Sequence, residues 1–476
     1  MKKWTTQQRY APYGSYSAET LAGLIRAQRN SRWHLSFHIQ PRSGLLNDPN
    51  GFTYYNHQWH VFYQNFPYGP VHGLKSWRHV TSPDLVHWQE DQLTLEPRAP
   101  YSTQGVYSGS ALPVNDQLFL MYTGNVRTTN GGRISTQLGA WLNQDEQLTA
   151  SDLPLITQPS GYTPHFRDPQ ILHVGKTYYA LLGAQRADHQ GQILLYQADA
   201  VNGPWSLVGP LDLGHADLGY MIECPNLAFV DGHVVLIFCP QGLDRQRIPY
   251  ANIYPNMVIV ADAVDWQNAR LVNPGPVTNL DEGFDCYATQ VVNGPDHQAY
   301  AISWLGLPDT TYPSDREGWQ GCLSLVKALH VVNGQLRQTP VTIPAATSHF
   351  EPLRDTLKGR EVLTFDLNQV PTGKIALGNG HEELALTFDG QALTIDRRIA
   401  GEPVDSDYGN TRKLDLLPGS HQLALWLDRS SFELFIDDGQ RVASGRIFPH
   451  FDTPWRVTTA LDTPVQVTGQ RLPKLN

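Results

Sequence analysis

Hydrophobic residues along the chain fall mostly into short β-branched and aromatic runs separated by turn signals. Examples are Trp59-His60-Val61-Phe62-Tyr63, Leu118-Phe119-Leu120-Met121-Tyr122 and Val234-Val235-Leu236-Ile237-Phe238. Runs of this length and composition predict strands. One segment, Ser17 to Arg29, follows the helical period instead, with Leu21, Leu24 and Ile25 on one face and Ser17 placed to cap it. An all-β protein with a single short helix near its start is expected.

The strand runs belong to a repeat. Three segments share one layout, an acid near a proline, then an apolar stretch, a polar turn and a strand. They are Asn47-Asp48-Pro49-Asn50 with its turn at Asn56-His57-Gln58, Arg167-Asp168-Pro169-Gln170 with Val174-Gly175-Lys176, and Glu223-Cys224-Pro225-Asn226 with Val230-Asp231-Gly232. Looser copies begin at Tyr107-Ser108-Gly109 and Asp285-Cys286-Tyr287. From positions 47, 107, 167, 223 and 285 the steps are 60, 60, 56 and 62 residues, long enough for four strands with extended loops. Five such units predict a five-bladed β-propeller over residues 33–338, preceded by a segment 1–32 that holds the helix. Equivalent positions of successive blades surround one axis, so Asp48, Asp168 and Glu223 are expected to face a common funnel. An Asp before a Pro ordinarily caps a turn; three acids in matching registers argue for more than that.

Near Pro340 the pattern changes. Residues 339–354, rich in Pro, Ser and Thr, read as a linker. Beyond it, over 355–476, alternating strands such as Leu384-Ala385-Leu386-Thr387-Phe388, Ala392-Leu393-Thr394-Ile395 and Phe432-Glu433-Leu434-Phe435-Ile436 are separated by Asp389-Gly390 and Asp438-Gly439 turns, as in a β-sandwich. No cluster of catalytic groups stands out there, and a packing role is expected.

Composition narrows the classes of function. The 476 residues are 41% hydrophobic and 17% charged, which suits a folded chain of two or three domains. The net charge of -10 is spread out, and the 35 Lys and Arg form no basic block, so a nucleic-acid partner is not expected. Met1 to Arg9 carries positive charge without an apolar stretch after it, and no later run has the ~20 apolar residues of a membrane span; neither signal peptide nor anchor is expected. Cys224, Cys239, Cys286 and Cys322 lack CxxC spacing, which argues against a disulfide framework or a zinc site and for a reducing cytoplasm. His34 and His38 have ligand spacing, but Trp33 to Ile39 alternates like a strand, so no metal is expected. No glycine loop precedes a helix in a phosphate-cradling context, and no cofactor is expected.

The motifs Leu46-Asn47-Asp48-Pro49-Asn50-Gly51, Phe166-Arg167-Asp168-Pro169 and Glu223-Cys224-Pro225, in this order and spacing, resemble glycoside hydrolase family 32, the invertases and sucrose-6-phosphate hydrolases. Asp84-Leu85-Val86-His87-Trp88, Tyr107-Ser108-Gly109-Ser110, Asp285-Cys286-Tyr287-Ala288 and Ser430-Ser431-Phe432-Glu433-Leu434-Phe435 extend the resemblance over most of the chain. It implies the same fold, a five-bladed propeller followed by a β-sandwich, and a retaining β-fructosidase. In that reading Asp48 is the nucleophile, Glu223 the acid/base, and Asp168 holds fructose hydroxyls and stabilises the transition state. A retaining enzyme needs one carboxyl ionised and the other protonated. Asn47 and the Pro-Asn-Gly turn amides are expected to favour the charged form of Asp48, and burial beside a carboxylate to hold Glu223 protonated, with Tyr287 as modulator and Arg167 keeping Asp168 ionised. By the same matching Asn47, Gln64, Trp77, Tyr107 and Ser108 line the fructose subsite, with Trp304 as an aromatic wall.

One departure concerns specificity. Where many family members carry a second Trp, eight positions after the equivalent of Gln64, this chain has His72, in a loop that also holds Lys75 and Arg78. His72, Lys75 and Arg78 are candidates for meeting a substrate phosphate, and Arg127, Arg133, Arg245 and Arg247 are others. Three functions follow: hydrolysis of sucrose 6-phosphate, preferred because a sugar met inside the cell can be phosphorylated on uptake; hydrolysis of unphosphorylated sucrose or short fructo-oligosaccharides; and a non-catalytic propeller that binds sugars or proteins. The expected partner is a small sugar.

Overall fold

The computed structural model describes residues 3–342 and 348–475. It is mostly β. Its longest helix, Ala18–Arg29, is capped by Ser17, whose hydroxyl accepts from the Thr20 amide at 3.1 Å. Leu21, Leu24 and Ile25 are half-buried on it. A further turn of helix, Thr6–Arg9, was not expected. It buries nothing, so it has no apolar period, and it is held by reciprocal bonds between Thr5 and Gln8. No helix of the described residues is long and apolar enough to cross a membrane.

Among the described residues, 44–340 form five larger, mainly antiparallel sheets. Their first strands are Gly44–Tyr55, Val106–Val114, Tyr162–Val174, Met221–Val230 and Cys286–Asn293. Each continues through a hairpin into a second strand, and the turns carry the residues that such turns require. Asn56 and His57, which join Gly44–Tyr55 to Gln58–Phe66, both have positive φ, as do Asp231 and Gly232 in the fourth sheet. Short Trp319–Gln320 pairs in parallel with Gly44 and Leu45, fastening the end of this region to its beginning.

The first strands pack in cyclic order, and the fifth packs on the first. A polar side chain bridges each junction. Asn50 accepts from the Gly109 amide at 2.9 Å, Ser110 from Ile171 at 2.9 Å, Gln170 from Leu227 at 2.6 Å, Asn226 from Val291 at 3.2 Å, and Gln290 from Phe52 at 3.2 Å. Strands that lean on one another around an axis leave buried amides between sheets, and these side chains satisfy them.

Each first strand also slips register at the level of the acidic motifs: between Asn47 and Pro49, Val106 and Gly109, Arg167 and Gln170, Glu223 and Asn226, and Tyr287 and Gln290. These are β-bulges, which leave one or two residues unpaired and re-aim their side chains. Asp168, Cys224 and Ala288 take positive φ there.

Residues 348–471 form two sheets packed face to face. One runs, in spatial order, Ser348–Phe350, Val465–Arg471, Arg360–Leu367, His421–Asp428, Ser431–Ile436 and Arg441–Arg446. The other runs Thr411–Asp415, Ala392–Ile399, Glu383–Asp389, Thr372–Gly378 and Arg456–Leu461. Leu363, Phe365, Leu384, Leu386, Leu425 and Leu434 fill the space between them. Residues 343–347 of the expected linker lie outside the described residues.

The contact between the two parts is buried and combines apolar clusters, such as Phe37 and Leu325 with Trp426 and Phe435, with polar groups. His38 lies between Asp428 at 2.8 Å and Glu433 at 3.0 Å, with Lys327 at 3.2 Å from Glu433. Asp285 accepts from Tyr312 and from the Arg446 amide and pairs with Arg397. Trp33 to Ile39 is not the strand its alternation suggested. The amides of Ser36, Phe37 and His38 all donate to the Asp428 carboxylate, so they are not available to a neighbouring strand.

Candidate active site

The bulges bring Asp48, Asp168 and Glu223 to the centre of the ring of first strands. Asp48 accepts three side-chain hydrogen bonds: from Asn47 at 2.9 Å, from Ser108 at 2.6 Å and from Gln64 at 3.3 Å. Gln64 also bridges Asn47 and Ser108, so the three donors form one connected support. A carboxyl group whose oxygens are oriented by several donors is suited to attack an electrophilic carbon.

Glu223 is held by different partners. Arg167 donates twice to one oxygen, from Nε at 3.0 Å and from Nη2 at 2.6 Å, while Tyr287 at 2.6 Å and Gln241 at 2.7 Å donate to the other. Burial alone would raise its pKa; the Arg167 charge and these donors outweigh burial and lower it. Asp168 has fewer partners. The Cys224 amide donates to it at 3.1 Å, and Arg167 lies 3.9 Å away. Burial first, with the neighbouring charges of Glu223 and Asp48 adding to it, pushes Asp168 up to about 7 despite Arg167.

Burial and its acidic neighbours thus push Asp168 toward its protonated form, while Arg167 and the other donors favour the carboxylate of Glu223. Both shifts run opposite to the expectation that burial holds Glu223 protonated and Arg167 keeps Asp168 ionised: the guanidinium fork gives its donors to Glu223, and burial outweighs Arg167 at Asp168. Lys75 is buried next to the three acids, and burial lowers its pKa to about 8 while Asp48, Glu223 and Asp168 draw it back up. Three carboxyl groups thus share the centre with two basic side chains, Arg167 and Lys75.

The other candidates fall into two groups. Asn47, Gln64, Tyr107, Ser108, Arg167 and Tyr287 lie at this centre. Trp77 does not line it: the side chain is fully buried, packed between Phe62 and Tyr122, with its indole N–H donated to the Tyr107 carbonyl. Trp304 presents no open face either, being 1% exposed, and it backs His72 edge-on at 6.1 Å. Arg78 leaves the centre altogether, because strand alternation turns it toward Glu90 at 2.6 Å and Thr94 at 3.0 Å. His72 is no cation: burial, then Lys75 and Arg9, drive its pKa well below 6.5.

Gln241, Thr123 and the N-terminal segment were not anticipated. Gln241 lies two residues beyond Cys239, the cross-strand partner of Glu223, a register visible only once the hairpin is known. Thr123 accepts from the Asp168 amide at 3.0 Å. The Arg9 carbonyl accepts from the Leu74 amide at 2.7 Å, and Arg9 Nε donates to the His72 carbonyl, so the start of the chain braces the loop that carries His72 and Lys75.

Comparison with known proteins agrees with this architecture. The model for the glycosyl hydrolases family 32 N-terminal domain matches residues 38–340, and that for the family's C-terminal domain matches 334–461. The chain is 46% identical to a sucrose-6-phosphate hydrolase of Pediococcus pentosaceus, over 98% of this chain and 96% of that protein. It is 44% identical to one from Lactococcus lactis subsp. lactis, over 94% and 95%. Among solved structures, a sucrose-6-phosphate hydrolase from Lactobacillus gasseri superposes with a TM-score of 0.94 at 41% identity, covering 100% of both chains. The β-fructofuranosidase of Bombyx mori does so with a TM-score of 0.84 at 27% identity, covering 98% of this chain and 99% of that one. The chain belongs to glycosyl hydrolase family 32 and is a glycoside hydrolase.

Proposed function

We propose that the protein is a retaining β-fructofuranosidase whose substrate is sucrose 6-phosphate, cleaved to fructose and glucose 6-phosphate, and that its catalytic part is a five-bladed propeller over 33–338 with a sandwich over 355–476. The observation that carries this reading is the contrast between the two reactive carboxyls, on bulges of different sheets. Asp48 is held by neutral donors, whereas Glu223 is held by Arg167 and Tyr287. The similarity to sucrose-6-phosphate hydrolases supports the choice of substrate.

The division of labour follows from proton accounting. Asp48 attacks the anomeric carbon of fructose, and the leaving glycosidic oxygen needs a proton from Glu223. Asp168, pushed toward its protonated form, is the store for that proton. Fructose hydroxyls that donate to Asp168 favour its carboxylate form, and Glu223, whose charge already acts on Asp168, takes up the displaced proton. Substrate binding thereby arms the acid. Once the glucose part departs, Glu223 as carboxylate takes a proton from water, which attacks the fructosyl ester and returns Asp48. Asp168 as a carboxylate beside the ring favours the positive charge that develops in both transition states.

The test is kcat/KM on sucrose 6-phosphate and on sucrose with the same preparation. A preference of about tenfold or more for the phosphorylated sugar, about 1.4 kcal/mol of transition-state binding, supports the reading. Equal or reversed values favour an enzyme for sucrose or fructo-oligosaccharides, and no hydrolysis of these or of longer fructans leaves a binding protein.

A further inference from the structure

Arg127 and Arg133 are the last register pair of the hairpin formed by Gln117–Arg127 and Arg133–Leu142, so their side chains emerge from directly opposed positions of one hairpin end. Like charges directly opposite one another destabilise a strand pair. Such a pair is ordinarily relieved by a carboxylate, yet among the described residues neither guanidinium has an ion-pair partner, in a chain with 45 Asp and Glu. The Arg133 guanidinium lies 5.9 Å from the centre of the Tyr107 ring, and Lys75 Nζ lies 5.7 Å from the same ring. Tyr107 precedes Ser108, the donor to Asp48. On the other flank, His165 contacts Arg167 at 3.1 Å, and Arg167 in turn holds Glu223. His165 does not add a charge, because burial and then the charges of Arg167 and Arg133 lower it to about 4.

The two unpaired guanidiniums thus stand between Tyr107, whose neighbour Ser108 holds the nucleophile, and the His165–Arg167 pair that leads to the acid/base. The group that leaves departs beside the acid/base, so the glucose half lies toward the His165–Arg167 flank that both guanidiniums reach. We infer that Arg127 and Arg133 form an anion subsite that takes the phosphate monoester of the sugar's glucose half, Arg133 from the wall beside Tyr107 and Arg127 from the exposed rim. The inference rests on the proposed reading of the substrate and adds the residues that set it. Two guanidiniums match the geometry and charge of a phosphate dianion. Among the earlier phosphate candidates, Arg78 is occupied by Glu90 and His72 is neutral; Lys75 is surrounded by the three acids.

The experiment compares wild type with Arg127→Gln, Arg133→Gln and Arg133→Lys, reading the ratio of kcat/KM for sucrose 6-phosphate to that for sucrose, together with the inhibition constant of inorganic phosphate. Each glutamine variant is expected to lower the ratio by roughly tenfold to a hundredfold, the loss of one charge-assisted contact, and to weaken inhibition by phosphate. Arg133→Lys is expected to recover part of the ratio. Arg127 is exposed, so its replacement leaves the fold intact and keeps the test decisive even where Arg133→Gln folds poorly. A wild-type ratio above ten that survives in both glutamine variants overturns this inference while sparing the substrate reading. A wild-type ratio of one or below overturns both. An equal fall on both sugars shows a structural role and also overturns it.

Discussion

Replacing Arg167 by Gln tests the electrostatic account of the site. Arg167 gives Glu223 two hydrogen bonds, at 3.0 and 2.6 Å, and lies 3.9 Å from Asp168. Its charge is the largest influence lowering Glu223 and also the largest lowering Asp168. Hydrogen bonds to a charged group contribute about 1.5–3 kcal/mol. At about 1.4 kcal/mol per pKa unit, their loss raises the acids by about one to two units. The two carboxyls titrate as a pair, but both move the same way, so the macroscopic value rises whichever of them carries the proton. The enzyme needs that proton for the leaving group, so activity falls as pH rises through this value. In Arg167→Gln the alkaline limb of kcat/KM against pH is expected one to two units higher than in wild type, whatever the drop in amplitude. Arg167→Lys, which keeps the charge without the fork, is expected to move it less. An alkaline limb that stays in place in Arg167→Gln refutes the account.

The acids themselves give a second test: Glu223→Gln is expected to lower turnover about 10²–10⁴-fold, and Asp48→Asn at least as much, with melting temperatures close to wild type; near-normal turnover in either removes the assignment. His38 provides a prediction for stability. Burial alone would lower its pKa, but Asp428 and Glu433 raise it to about 9. The folded value lies above the unfolded one near 6.5, so this contribution is complete below pH 6.5 and is lost as pH rises through 9. It amounts to about 3 kcal/mol, and urea titrations of wild type across pH 6 to 9.5 should show a slope that His38→Gln lacks. Arg397→Met leaves Asp285 buried without its counter-charge and is expected to lower unfolding free energy by about 3–5 kcal/mol; an unchanged urea midpoint counts against a tight polar contact between the two parts.

The sequence was most informative where local chemistry and long-range geometry coincide. Turn residues at Asn56-His57 and Asp231-Gly232 adopt the positive φ that their types favour, and Ser17 caps the helix it precedes. The repeat located all five first strands, three through acid, proline, strand and turn and two through looser copies, because each copy carries both a bulge and a hairpin. Alternation alone was less reliable. It suggested a strand at Trp33 to Ile39, where the Asp428 carboxylate, distant in sequence, takes the amides. It left open which way Trp77 and Arg78 point, and neighbouring strands decide that: Trp77 goes into the core and Arg78 to Glu90. The opposite shifts of Glu223 and Asp168 were illegible for a similar reason. They depend on Arg167 reaching across to the next sheet rather than to the aspartate beside it, and on Lys75 being buried among three acids.

The five polar bridges between the first strands act as a hoop. Each is supplied within a few residues of a site residue: Asn50 follows Asp48, Ser110 follows Ser108, Gln170 follows Asp168, Asn226 follows Glu223 and Gln290 follows Tyr287. A hoop has no loose end, so a sheet cannot swing outward without breaking the ties to both of its neighbours. The bore at the level of the acids is thereby fixed, and the chemistry is insulated from change at the rim. Loops such as 128–132, beyond the hoop, are free to vary in length and charge. Selection can retune which leaving group is accepted there while the distances that make and break the glycosidic bond stay as they are.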